Sequence, residues 1–225
     1  MAGSNASDNG TGKSTNSATR TVVIECTGIT PILMNPMTKE TLEELAGIKA
    51  KTSMASQKER PLKDRAADKI IREDSKPDGK IGLPIEYLLG CLINGGRQIK
   101  INGKKAISTA TSTELYDLID VKESFLPFLD QKSAEEKWEV DTRRGVGSAG
   151  KTPVAVAIIR PKFNEWAFKV TVKINDTSKI DNKLLMELFT CSGSKVGVGD
   201  FRPWKKGRFG RFEVVNITDA PESAK

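Results

Sequence analysis

The segment from Lys195 to Arg211 combines three residue types that suit one kind of ligand. It contains six basic residues and a single acid, Asp200, with three aromatic rings and four glycines between them. Lysine and arginine neutralise phosphates and release counterions, aromatic rings stack on unpaired bases, and glycine lets the backbone approach a phosphate closely. The segment therefore predicts a site for a single-stranded polyanion. The residues expected to contact it are Lys195, Gly197, Gly199, Arg202, Trp204, Lys205, Lys206, Gly207, Arg208 and Arg211.

A purely structural explanation of the same segment is also open. A twisted β-hairpin with glycines at its bulges would hold its aromatic rings in the core and leave its charges in solvent. On this alternative Phe201 and Phe209 are core residues. Trp204 lies between a proline and a lysine, so it is expected at a loop tip and is harder to bury.

Two further basic clusters extend the predicted site. The first holds Arg143, Arg144 and Lys151 in a glycine-rich stretch, which is typical of a flexible loop and could line the same groove. An ordinary surface loop explains this cluster equally well. The second cluster, a secondary basic patch, surrounds the turn Asn102-Gly103 and has no compensating acid. Its members are Arg97, Lys100, Lys104 and Lys105.

The chain contains no histidine, and this absence excludes a large class of enzymes. Imidazole cannot act here as a general base, as the partner of a nucleophile or as a metal ligand. Carboxylates such as Asp117, Asp120 or Asp141 could still serve a metal-dependent nuclease, although nothing in their spacing distinguishes them. No metal site and no cofactor is predicted, and the protein is expected not to be an enzyme.

Composition narrows the remaining possibilities. The 225 residues include 36 Lys and Arg against 29 Asp and Glu, and the net charge of +7 matters only where it is concentrated. No apolar run approaches the roughly 20 residues that a membrane span requires, and residues 1–20 lack the apolar core of a signal peptide. The cysteines Cys26, Cys91 and Cys191 match neither a disulfide framework nor a zinc site. These features predict a cytoplasmic protein without a membrane partner.

Apolar periodicity outlines the elements that must position these residues. The expected elements are a strand at 21–27, a helix after Pro84, a hairpin with strands 154–159 and 166–174 around a turn at 160–165, a helix from Asp181 to Gly193, and a strand at 211–217. Residues 106–140 show no clear pattern. The order of these elements predicts an α+β fold, namely a ferredoxin-like or RRM-like antiparallel sheet with helices on one face.

A single domain is predicted at 21–219, with a tail at each end. Residues 1–20 have no aromatic or branched aliphatic side chain, so they are expected to form a disordered tail, and residues 220–225 a second one. Residues 49–80 hold ten basic and six acidic side chains and few apolar ones, which predicts a basic inserted arm. A solvated helix of alternating charge explains the same stretch.

The chain also resembles a known family. Gly197-Val198-Gly199, the basic and aromatic loop, and a Gly-Arg-Phe-Gly-Arg-Phe run at 207–212 resemble the C-terminal glycine-rich loop of the RAMP superfamily. Its RRM-like members include the crRNA-binding backbone subunits of CRISPR effector complexes. The span 138–217 is, moreover, similar to a family of small bacteriophage and prophage proteins.

This resemblance implies a nucleic-acid partner. By analogy, the glycine-rich loop would contact a nucleic-acid backbone, and the arm at 49–80 would lie across the bound strand. The processing nucleases of the superfamily often depend on histidine, which this sequence lacks. That departure favours binding over cleavage.

The sequence therefore predicts a non-catalytic protein that binds single-stranded RNA or DNA with low sequence specificity. It is expected to coat the strand as a homo-oligomer. Two alternatives from other classes stay open: a bacteriophage factor that acts on a host complex through a host or phage protein partner, and the metal-dependent nuclease.

Overall fold

The computed structural model describes residues 19–37, 39–48, 59–149 and 152–220, and eleven strands and six α-helices lie in that part of the chain. The strands are β1 (Arg20–Gly28), β2 (Ile32–Leu33), β3 (Gly82–Pro84), β4 (Lys100–Ile101), β5 (Lys105–Ala106), β6 (Ile119–Val121), β7 (Phe125–Pro127), β8 (Glu139–Ala149), β9 (Thr152–Phe163), β10 (Ala167–Ile174) and β11 (Phe212–Asp219). The helices are α1 (Lys39–Leu45), α2 (Leu62–Ala67), α3 (Ile85–Gly95), α4 (Leu115–Leu118), α5 (Gln131–Glu136) and α6 (Asn182–Cys191).

The main sheet has four strands in the order β11-β1-β10-β6, and every neighbouring pair is antiparallel. Along the chain these strands and the two longest helices follow as β1, α3, β6, β10, α6 and β11. This is the β-α-β-β-α-β arrangement of a ferredoxin-like fold. The predicted α+β class is therefore confirmed.

One face of this sheet forms the core. Val22, Ile24 and Cys26 alternate along β1 and are fully buried, because successive side chains of a strand point to opposite faces. Buried residues of α3 and α6 belong to the same apolar cluster, so both helices cover this face. The start of α6 is capped as predicted, since the side chain of Asp181 accepts a hydrogen bond of 2.8 Å from the backbone N–H of Leu184.

A second sheet contains β2, β9 and β8 in that order, and it corrects the predicted hairpin. β9 pairs along its length with β8 and not with β10, so the strand expected at 154–159 belongs outside the main sheet. The turn expected at 160–165 is also wrong, because β9 continues to Phe163. Pro161 breaks a local pattern, yet its carbonyl accepts a hydrogen bond from the backbone N–H of Met34, and pairing with β8 keeps the chain extended.

β8 itself replaces the flexible loop expected around Arg143 and Arg144. Gly145 and Gly147 belong to the strand, where a side chain would meet the branched side chains of Ile158 and Val156 on β9. Glycine at these positions therefore reflects close packing between the two strands. We refer to β8 and β9 together as the ribbon.

The fourth strand of the main sheet lies in the stretch that shows no clear pattern in the sequence. β6 pairs with β10, with Ile119 opposite Ile174 and Val121 opposite Val172. It has three residues, which is too short for alternation to be recognised. β6 takes the place in the ferredoxin-like order that the sequence assigned to residues 154–159.

The described part of the predicted arm, residues 59–80, packs against the rest of the protein. Ala66 of α2 is buried, and the ammonium group of Lys69 donates a hydrogen bond of 2.8 Å to the backbone carbonyl of Ile159 on β9. Residues 1–18, 49–58 and 221–225, which hold most of both predicted tails and the first part of the arm, lie outside the described residues. Within the described chain no helix has the length and apolar character needed to cross a membrane.

Candidate functional site

Four cationic side chains from two distant segments meet at one groove, which we call the basic groove. Two of them belong to the ribbon, and the other two lie just before β11. The groove has a volume of about 450 Å³. Its lining residues are Thr30, Pro31, Asp141, Arg143, Lys162, Arg208, Phe209 and Arg211.

The two-residue period of the strands explains why the ribbon presents charge on this side. Asp141 and Arg143 lie on one face of β8, and Lys162 lies two residues beyond Arg160 on β9. The pairing register sets Asp141 directly opposite Arg160, so the charged side chains form a ladder on a single face. Arg144 lies on the other face, is exposed and does not join the groove.

Arg160 ties this ladder to the glycine-rich loop. Its guanidinium is 4% exposed and donates hydrogen bonds of 2.7 Å to Asp141 and 2.8 Å to Asp200. Arg143 donates a further hydrogen bond of 2.8 Å to Asp141. Asp141 is thus matched by two guanidinium groups, and Lys162 forms an ion pair of 2.5 Å with Glu139. Among the described residues, Arg208 and Arg211 are the groove cations without an acidic partner, and they leave the groove positive.

Lys69 adds a cation beside this network that sequence reasoning missed. Its ammonium group donates to the side-chain carbonyl of Asn35 and to the backbone of Ile159. Burial, and next the nearby Arg160 guanidinium, lower the pKa of Lys69 below its ordinary value. Lys162 was missed as well, because residues 160–165 were interpreted as a turn; the period-2 spacing of charges on β8 and β9 is the signal that could have revealed it.

Aromatic rings pack against the arginines of the groove. Phe209 is buried, and the guanidinium groups of Arg143 and Arg208 lie 4.8 Å and 5.7 Å from its ring centre. Phe201 lies against Phe209 with 6.2 Å between ring centres. The core position expected for Phe201 is wrong, because Phe209 occupies the inner place and Phe201 stays 38% exposed.

The glycines of the loop meet protein backbone. Gly197 and Gly199 are buried and have positive φ angles, and a Cβ atom on Gly199 would lie 2.6 Å from the carbonyl oxygen of Leu33. A Cβ atom on Gly207 would lie 1.7 Å from the carbonyl oxygen of Phe201. Packing within the protein therefore accounts for three glycines that the sequence assigned to the approach of a phosphate backbone.

Other predicted contacts lie away from the basic groove. Arg202 donates a hydrogen bond of 2.7 Å to the carbonyl of Gly199 and lines a separate pocket beside α3. Lys195 is exposed and donates a hydrogen bond to Gln98. Lys205 and Lys206 are exposed on the turn that follows Arg202. Lys151 lies outside the described residues.

The secondary basic patch does not act as one cluster. The guanidinium of Arg97 lies 5.4 Å from the ring centre of Trp204, which is 41% exposed. Lys105 forms an ion pair with Glu114. Lys100 lines a shallow cleft beside the start of α6, and Lys104 is exposed on the turn between β4 and β5. The structure joins Arg97 to the glycine-rich loop and separates the other three lysines from it.

The carboxylates considered for metal-dependent cleavage lie on three different elements. Asp117 is on α4, Asp120 on β6 and Asp141 on β8, where Asp141 is bound by Arg143 and Arg160. Among the described residues, no three cysteine or acidic side chains come together in a way that could hold a metal ion.

No protein-family model and no curated protein sequence matches this chain. Among solved structures, it is similar to the cryo-EM structure of the Type III-B Cmr-beta bound to cognate target RNA, with a TM-score of 0.45 and 12% identity. That match covers 89% of this chain and 60% of the other, so this chain spans less than two thirds of the Cmr-beta chain. It is also similar to the crystal structure of Cmr6 from Pyrococcus furiosus, with a TM-score of 0.35, 12% identity, and coverage of 88% of this chain and 99% of that one. Likeness this weak carries no argument about function.

Proposed function

We propose that this protein binds single-stranded nucleic acid in the basic groove. One observation supports the proposal above all others: Arg143 and Lys162 from the ribbon and Arg208 and Arg211 from the glycine-rich segment line the same groove. Phosphate contacts of this kind supply affinity without reading sequence, so the binding has low sequence specificity. The partially exposed rings of Phe201 and Trp204 on the same loop suit stacking on unpaired bases.

Binding without catalysis is part of the proposal. The chain has no histidine, and Asp141, the carboxylate in the groove, is held by two guanidinium groups. Both oxygens of this carboxylate accept hydrogen bonds from these arginines, which favours a structural role over a catalytic one. We propose further that the protein is a RAMP-like member of the ferredoxin-like class, in line with its glycine-rich loop.

Coating of a strand by several copies is a further part of the proposal. One groove with four cations neutralises only a few phosphates, so a longer strand offers room for additional copies of the chain. The particle mass measured with strands of increasing length should rise in steps of one protomer. A single protomer per strand at every length would contradict the coating.

A charge reversal in the groove tests the proposed function. Arg208→Glu should weaken binding of a labelled single strand at least tenfold, because Arg208 is exposed and forms no ion pair within the described chain. Lys122→Glu is the matched control, since it makes the same charge change next to β6, at the opposite edge of the main sheet from β11. Equal affinity of Arg208→Glu and Lys122→Glu would contradict the site. Cleavage of the strand with Mg²⁺ would favour the nuclease instead.

One observation favours a second candidate, a bacteriophage factor that contacts a host protein complex. Leu42 and Leu45 of α1 and the following Ile48 are all largely exposed, and contiguous exposed apolar side chains are typical of protein interfaces. A host partner retained in pull-down experiments after nuclease treatment, and lost in Leu45→Lys, would support this candidate. Loss of the partner on nuclease treatment would instead support nucleic-acid binding in the basic groove.

A further inference from the structure

A second pocket, the α3 pocket, lies between α3 and the glycine-rich loop. Its volume is about 280 Å³, and it shares no lining residue with the basic groove. Its polar walls come from α3, from the segment after β2, and from the loop. The residues that matter for its chemistry are Asn35, Glu86, Tyr87, Gly90, Asn94 and Arg202.

Gly90 leaves open space in the wall of this pocket. It lies in the interior of α3, where glycine destabilises a helix by roughly 1 kcal/mol relative to alanine. Close packing does not require it, because a Cβ atom at Gly90 would meet no described atom within 4 Å apart from its chain neighbours and the backbone of its own helix. The glycines that pack tightly elsewhere in the chain differ in this respect. The absence of a side chain at Gly90 therefore keeps the space beside the helix open.

Asn35 and Arg202 already have hydrogen-bond partners, but three other polar groups around this space, on the exposed Glu86 and the partly buried Tyr87 and Asn94, have none within the described chain. The carboxylate of Glu86 and the hydroxyl of Tyr87 make no hydrogen bond there, and burial raises the pKa of Tyr87, which keeps its hydroxyl a donor. The side-chain oxygen of Asn94 is also free, because only its nitrogen is used, in a bond to the carbonyl of Gly90. Several unpaired polar groups in one small cleft are typical of a ligand site.

The α3 pocket is connected to the basic groove through Arg160. One end of this guanidinium binds Asp200, which lines the α3 pocket, and the other end binds Asp141, which lines the basic groove. The walls of the two sites therefore meet at this guanidinium. A strand whose phosphates lie in the groove can place one unstacked base in the pocket.

We propose that the α3 pocket takes one guanine base of the bound strand, an inference that rests on the proposed function. Guanine presents two adjacent donors, its ring N–H and its exocyclic amino group, which match the two oxygens of the Glu86 carboxylate. It also presents the acceptors O6 and N7, the pair that an arginine fork such as Arg202 recognises. Uracil and thymine lack the amino group. The protein then discriminates at one position per protomer while its phosphate contacts stay unspecific.

Oligouridylate decamers with one central guanosine or one central inosine test this directly, because the two bases differ only in the exocyclic amino group. We expect the wild-type protein to bind the guanosine decamer about fivefold or more tightly than the inosine decamer. Glu86→Gln should abolish this difference between the guanosine and inosine decamers. If only DNA binds, deoxyguanosine and deoxyinosine in oligothymidylate replace the RNA series.

Filling the pocket provides a second, independent variant. Gly90→Phe should lower the affinity for the guanosine decamer to that for plain oligouridylate, and Thr190→Phe, which adds the same ring to an exposed position of α6, is the control. Equal binding of guanosine and inosine decamers, or a guanosine preference that survives Gly90→Phe, would overturn the proposed guanine site in the α3 pocket. In those cases the effect of Arg208→Glu would still support the groove, whereas no binding of any decamer would overturn both.

Discussion

Arg160 and Arg208 differ in burial, and this difference gives them different roles. Arg160 is buried and bound by two carboxylates, so it holds the ribbon and the glycine-rich loop in place. Arg208 is exposed, lies over the ring of Phe209 and forms no ion pair within the described chain, so its charge is available to a ligand. The first kind builds the groove, and the second kind gives it affinity.

Removal of the buried guanidinium tests the first role. Arg160→Met should lower the free energy of unfolding by about 1.5–3 kcal/mol, because the partly buried Asp200 loses its guanidinium partner and Asp141 keeps only Arg143. Denaturant titration measures the change. The triple variant with Asp141→Asn and Asp200→Asn should recover most of the loss; a triple variant as unstable as Arg160→Met would show that packing, and not charge, is responsible.

The cysteines differ in their expected reactivity. Burial raises the pKa of Cys91 to about 12 and also raises that of Cys26, so both thiols stay protonated and unreactive at pH 8. Cys191 is only partly buried. Iodoacetamide at pH 8 should therefore modify Cys191 first, and Cys26 and Cys91 only after denaturation. Mass spectrometry of the folded protein gives the order, and early modification of Cys91 would contradict the described packing of α3.

At the level of elements, the ribbon and the loop determine the shape of the groove. The ribbon offers a straight charged ladder, whereas the loop achieves its path through backbone that only glycine adopts easily. Gly210 has a φ of 67°, and a Cβ atom there would lie 1.7 Å from the carbonyl oxygen of Val198. Phe209 enters the core directly before this turn. The position of Arg208 and Arg211 in the groove thus depends on the backbone at Gly210.

Substitution of this glycine tests the dependence. Gly103 serves as the control, because it has nearly the same φ, 70°, and a Cβ atom there would meet no described atom within 4 Å. Gly103→Ala should therefore cost only the left-handed backbone strain of about 1–2 kcal/mol. Gly210→Ala should cost about 1–3 kcal/mol more, because of the overlap with Val198. Thermal or denaturant unfolding measures both variants. Equal destabilisation would show that the loop relaxes freely and does not determine the groove.

At the scale of the whole molecule, the ferredoxin-like fold joins parts of the chain that are far apart in sequence. The groove needs residues near 30, near 142, at 162 and near 210, and it forms only when the main sheet and the ribbon are both assembled. Function and folding are therefore coupled: a variant that detaches the ribbon should lose both of its groove cations at once.

The salt dependence of binding measures how many of these cations act. If all four contact phosphates, log K should fall against log salt with a slope of roughly −2.8, and Arg208→Glu should reduce the magnitude of that slope by about 0.7. Titrations of a labelled decamer at several salt concentrations give both values. A slope near zero in the wild-type protein would mean that the groove does not bind phosphate.

Much of the fold follows from local pattern. The alternation in β1 and β10, the apolar stripe of α3 and the cap at Asp181 are all short-range signals, and each of these elements is where the sequence places it. β6 was not predicted from the sequence, because three residues are too few to show the two-residue alternation of a strand. β8 was not predicted from the sequence, because its glycines and arginines are typical of a loop unless a partner strand is already in place.

By itself, the sequence determined the fold class, the excess of positive charge, the absence of imidazole chemistry and the enrichment of cations and rings near the carboxyl end. Only the tertiary structure decided that Arg143, Lys162, Arg208 and Arg211 share a groove, while Arg202 and Arg144 face elsewhere. The reason is physical: composition and periodicity act over a few neighbouring residues, whereas the direction of a charged side chain depends on which strand its own strand pairs with, and in what register.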